Sequence, residues 1–201
     1  MGTERGLDRL ITFLDAVVAI AITLLVLPLI EVLGERRGGA LGDVLGDNLD
    51  QFGAFALSFV VIARLWLAHH QLVESVGAYD VLFLWVNLAW AFTIVLLPFA
   101  TQVIAEFGPE RQSVCLYVGT ILASSAATTL LTVLLRRRRQ LRREGVAAED
   151  VDVTGSAVAT GLLVIALVLG VTVPAVNLYA LFLLFLSGPA ERLVRRVGSR
   201  A

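Results

Sequence analysis

The side chains able to do chemistry in this chain are few, and most lie where a soluble protein would not put them. Arg9, Asp15 and Thr23 belong to one long apolar run, Leu10–Ile30. Asp15 sits about 8 Å inside that run at 1.5 Å per residue. A carboxylate at that depth is costly unless it faces protein or water. A second group closes the next apolar segment: Trp66, His69 and His70, with Glu74 four residues after His70. A histidine and a carboxylate at i and i+4 could share a metal ion. Two ligands at a helix end do not make a site, however, and the sequence has no third histidine. The better role for Arg9 and His69 is local. Both fall at the same membrane face, where they can meet, with Asp15 or Asp80 supplying the balancing charge.

Catalysis finds little support. There is no Ser-His-Asp grouping within reach, no pair of carboxylates on one helix face and no nucleotide loop, so the chain is not expected to be an enzyme. The glycine-rich stretch Gly34–Gly46 matches no phosphate-binding pattern. Tyr117-Val-Gly-Thr120 has the wrong order for a carbonyl-lined potassium filter and lies in the middle of a predicted helix.

The elements that must position these groups follow from composition. Of 201 residues, 58% are hydrophobic and 16% charged, with a mean hydropathy of +0.84. A soluble domain would carry about a quarter charged residues. The expected class is an all-α polytopic membrane protein, with residues 1–201 forming a single transmembrane domain. Six spans are predicted, at about 10–30, 51–68, 81–104, 114–135, 156–173 and 175–187. The first run is too long for a signal-peptide core and is followed by Pro28 and acidic residues, so it is expected to remain in the protein. Cys115 has no partner for an internal disulfide.

Charge placement sets the topology. Arg136–Arg139 with Arg142 and Arg143, and then Arg192, Arg195, Arg196 and Arg200, form two basic clusters. The positive-inside rule puts both in the cytoplasm and two crossings between them. Both termini are then cytoplasmic, and the outer loops are acidic. The run 136–143 could bind nucleic acid or anionic lipid, but directly after an apolar helix it reads first as a topology determinant.

On the first helix Phe13, Ala16, Ile20, Thr23 and Leu27 recur at spacings of three and four, which places them on one stripe. Such a stripe is ordinarily helix-packing surface. The alternative is that it faces copies of itself around a symmetry axis. Ile20 and Leu27 would then be apolar constrictions with a ring of Thr23 hydroxyls between them.

Arg9-xxx-Phe13-x-Asp15 ahead of an Ala/Ile/Leu-rich helix resembles the signature of the transmembrane-protein-175 potassium channels in their prokaryotic six-helix form. Trp66-Leu-Ala-His69 resembles that family's Trp-xx-His. Asn87-Leu88 through Leu97-Pro98-Phe99-Ala100-Thr101 is similar to its third-helix pattern. The resemblance implies a homotetramer in the bilayer whose pore is lined by the first helix. Ile20 would be the narrowest point, with Thr23 next and Leu27 a turn further out. It implies a polar cluster behind the pore built on Arg9, Phe13, Asp15, Trp66 and His69. Leu14 and Ala19 stand where members of the family carry Ser.

The expected function is a potassium-permeable cation channel of the inner (plasma) membrane. It would have no cofactor, no nucleic-acid partner, and no metal beyond potassium in transit. The alternative is a small proton- or cation-coupled secondary transporter using Asp15 and His69, against which the two halves of the chain show no inverted repeat. A third class is a structural membrane protein whose polar first helix only mediates assembly.

Overall fold

A computed structural model describes residues 3–35, 42 and 46–172. Among these residues the α-helices are, in order, α1 (Glu4–Leu24), α2 (Leu27–Glu35), α3 (Leu49–Glu74), α4 (Val81–Phe107), α5 (Arg111–Arg137) and α6 (Val153–Thr172). Among the described residues, five stretches are long and apolar enough to cross a membrane: Glu4–Glu31, which runs from α1 into α2, and then α3, α4, α5 and α6. The chain is therefore an all-helical, multi-pass membrane protein. The sixth expected span, 175–187, and the closing basic cluster lie outside the described residues. So does most of the Gly34–Gly46 stretch.

The run expected as one helix over 10–30 is two. Pro28 has no N–H to give to the Leu24 carbonyl, and its ring crowds that carbonyl. The ladder fails just before it: Leu25 and Val26 donate three residues back, to Ile22 and Thr23, at 3.3 Å. At the other end Thr3 caps α1, its hydroxyl accepting from Gly6 N at 3.2 Å.

The core forms around α4 and α5, which pack along their lengths and bury Phe83, Trp90, Ile94, Tyr117 and Ile121. Against this pair α1 lays Leu7, Leu10, Leu14, Val18 and Ala21, at spacings of three and four. Hydroxyl pairs tie the helices where lipid gives no hydrophobic drive for association. Ser58 Oγ on α3 lies 2.9 Å from the Tyr117 hydroxyl on α5 and 2.8 Å from Thr101 Oγ1 on α4. Between α5 and α6, Thr129 Oγ1 meets Ser156 Oγ at 2.7 Å and Thr160 Oγ1 at 2.8 Å.

The basic run is more than a solvated string. Arg136 and Arg137 end α5, and the chain then turns through a 3₁₀ segment, Arg139–Leu141, back onto the α3–α4 turn. Gly77 N and Ala78 N donate to Leu141 O at 2.9 and 3.2 Å, and Arg143 N donates to Ser75 O at 2.9 Å. A Cβ on Gly77 would fall 2.7 Å from Arg143 Cα, so the contact needs glycine.

Candidate pore-lining face and its polar support

The core side of α1 leaves its opposite side uncovered. Leu14 and Val18 are 1% and 4% exposed, whereas Phe13, Ile20 and Leu27 are 51%, 58% and 49% exposed. Ala16 and Thr23 are exposed with them. The five residues that spacing put on one stripe thus share the face that this chain does not bury against itself, and the stripe continues through the break onto α2. The Thr23 hydroxyl donates to the Ile20 carbonyl at 2.8 Å. Its proton is thereby turned into the helix, which leaves oxygen lone pairs as what Thr23 offers outward.

Asp15 lies on the flank between the two sides. Its Oδ1 accepts a 2.9 Å hydrogen bond from Trp66 Nε1 on α3. Trp66 in turn stacks on His70 with ring centroids 5.0 Å apart. A carboxylate, an indole and an imidazole thus bracket the α1–α3 contact about half a turn above Phe13, the stripe's inner end.

His69 goes elsewhere. It is buried, and its Nε2 lies 2.8 Å from Asn87 Oδ1 on α4. The Asn87 amide nitrogen donates to Phe83 O at 2.8 Å, so Oδ1 faces the ring and His69 donates through Nε2. The imidazole lies almost flat on Trp90, 3.8 Å between centroids and 13° between planes. Asn87 and Trp90 were missing from the sequence-based cluster. Their signal was a lone amide in an apolar span with a tryptophan three residues on, one turn up the same face.

Arg9 is exposed and makes no hydrogen bond or ion pair among the described residues. On ideal geometry it is about 120° around the helix from Asp15 and only about 20° from Ile20. Within one chain the two charges therefore point apart, and Arg9 stands at the foot of the stripe. Asp80 does not balance Arg9 or His69 either. It accepts from Phe83 N at 2.8 Å as the cap of α4, and it pairs with Arg138. His70 Nε2 and Glu74 Oε1 are 3.7 Å apart on the surface, and no group of three or more metal-ligating side chains occurs among the described residues. A cavity of about 280 Å³ between α3, α5 and α6, bordered by Arg64, Ser125, Thr128 and Asp152, lies away from the stripe.

Residues 9–98, which hold both the stripe and its support, match the family described as the endosomal/lysosomal potassium channel TMEM175. A potassium channel of Streptomyces collinus is 34% identical over 105 residues, covering 52% of this chain and 50% of the relative. A potassium channel of a Chryseobacterium strain is 32% identical over 117 residues, 58% of each. The chain thus spans about half the length of these relatives. The likeness in fold reaches further: the crystal structure of a homologue of the lysosomal potassium-selective channel TMEM175 from Chamaesiphon minutus superimposes with a TM-score of 0.66. That match covers 94% of this chain and 93% of the other at 24% identity. Residues 9–98 thus resemble the TMEM175 family, and the fold of the chain is that of the Chamaesiphon minutus channel structure.

Proposed function

We propose that the chain is a potassium-permeable cation channel that works as a homotetramer, its pore lined by the uncovered stripe of α1. The observation that carries this reading is the pairing of Ile20, 58% exposed, with Val18, 4% exposed, on the same helix. Apolar faces are open on α4 and α6 as well, as at Phe92 and Val168, and each open face has to meet lipid or another copy of the chain. For α1 the break at Pro28 and the outward oxygen of Thr23 favour the second, because lipid gives no use for either.

Four copies of Ile20 would close the axis to an apolar ring that only a largely dehydrated ion crosses. Thr23 oxygens would stand just above it and Leu27 would form an outer ring. Potassium, more cheaply dehydrated than sodium, is the natural permeant ion, with weak discrimination among monovalent cations. Both termini and the 136–143 connector lie in the cytoplasm in this reading, the closing segment supplies the sixth span, and the host membrane is the inner (plasma) membrane. Arg9 is the member of the polar cluster that only the assembly can bring in. The Trp66 bond to Asp15 and the Asn87 bond to His69 support fixed, structural roles for those two side chains, which weighs against a proton-relay transporter.

The test is ion flux in liposomes. Ile20→Asn should raise potassium flux and weaken the preference over sodium, since ring size and polarity at a constriction dominate both. Thr23→Val should change either quantity less. Should Ile20→Asn leave flux unchanged, the pore has been placed on the wrong residue.

A further inference from the structure

The recess on the α5–α6 connector is a built site that the ion path does not use. Arg137, Arg138, Arg139, Arg142 and Arg143 line one open recess of about 1150 Å³, with Glu144 on its wall. Two of the five guanidiniums are committed. Asp80 neutralises Arg138. Arg142 Nη1 donates to the carbonyls of Arg136 at 2.7 Å and Leu135 at 3.5 Å, while its Nε is buried without a hydrogen-bond partner. Arg137, Arg139 and Arg143 remain exposed around the opening.

Like charges gathered on one short segment repel, and an untethered chain would spread them. Here the backbone prevents it: Leu141 O and Arg143 N are hydrogen-bonded to the α3–α4 turn, and the close approach at Gly77 fixes the distance. The result is a basic surface whose three exposed arginines, only partly offset by Glu144, favour the entry of an anion. Guanidinium forks match phosphate oxygens two at a time.

The surroundings choose the carrier of the phosphate. The recess opens where the apolar part of α5 ends, at Arg137. Val146 and Ala147 lie on its wall, and Leu130 is exposed on α5 two turns deeper. A phosphate delivered with acyl chains satisfies both the arginines and this apolar path, whereas free phosphate or a nucleic acid uses only the first. We propose that the recess binds the headgroup of an anionic phospholipid of the adjoining leaflet, with Arg137, Arg139 and Arg143 donating to its phosphate oxygens.

The full chain, purified and placed in mixed micelles with equal phosphatidylglycerol and phosphatidylcholine, should retain phosphatidylglycerol preferentially by native mass spectrometry. The triple variant Arg137→Gln, Arg139→Gln, Arg143→Gln should lose that preference by about tenfold or more, each basic residue near an anionic surface being of the order of a fivefold effect. If the triple variant does not fold, Arg139→Gln alone should lower the preference about fivefold. Arg111→Gln, at the opposite end of α5, should leave it intact. An unchanged preference in the folded arginine variants would overturn the proposal. So would displacement of the lipid by inorganic phosphate at the same concentration, which would assign the recess to the free anion. The assay reads no flux, so its failure would leave the channel reading standing.

Discussion

Asp15 shows how one side chain can be tolerated in the bilayer. Its carboxylate is held by the Trp66 indole at 2.9 Å, a charge-assisted bond worth about 1.5–3 kcal/mol. Trp66→Phe removes the donor while keeping the ring, so Asp15→Asn and Trp66→Phe should be strongly non-additive in thermal or denaturant stability, by about 1–2 kcal/mol. Arg9→Gln with Asp15→Asn should be close to additive in the dissociated chain, because the two point to different sides of α1. A coupling that appears for that second pair only in the intact assembly would show that a neighbouring protomer supplies the contact. His69 belongs to a separate unit with Asn87 and Trp90. The stripe was legible in the sequence because a 3.6-residue period leaves a plain trace in residue spacing. The split of the polar cluster into two was not, because contacts between helices depend on rotation about each axis, which a sequence records only through which residues are apolar.

At the scale of elements, the turn between α3 and α4 is where connector and bundle are locked. Burial opposes ionisation of Asp80, but the Phe83 N–H and the Arg138 guanidinium outweigh it and hold its carboxyl below the usual carboxylate range. A depressed folded-state value stabilises the folded form above the unfolded value of about 4. That contribution is fully present at neutral pH and lost as pH falls through the folded value. Asp80→Asn should therefore lower the melting temperature at pH 7 and converge on the parent under strongly acidic conditions. The loss should be modest, about 1 kcal/mol or less, since the pair is partly exposed and Asn still caps α4. A parallel decline of both proteins from pH 7 down to strongly acidic conditions would mean that Asp80 plays no such part. This lock could not be foreseen from the sequence, since a run of arginines after an apolar helix looks the same whether it is solvated or folded back on a turn. The break in the first helix could have been: Pro28 lies inside a run otherwise suited to one helix, and its effect on the ladder follows from covalent structure alone.

For the whole molecule, the proposed topology places the arginine connector in the cytoplasm. On a Cys115→Ser background, Asp150→Cys should be labelled by a membrane-impermeant thiol reagent only after the cells are opened. Labelling from outside in intact cells would invert the proposed topology. The break at Leu25–Val26 has a further consequence for the assembly. An unbroken α1 would put its carboxyl end at the membrane boundary, in water. The break puts that end, with the Leu24 carbonyl left without the Pro28 donor, one residue past Thr23 and beside the open stripe. A helix carboxyl end carries about half a negative charge from its aligned peptide dipoles. The amino end of α2 at Leu27 brings the opposite half charge close by, so in the proposed tetramer only the difference between the two fields would act on cations at the Thr23 level. That net field would not titrate, and no side-chain substitution along the stripe would remove it.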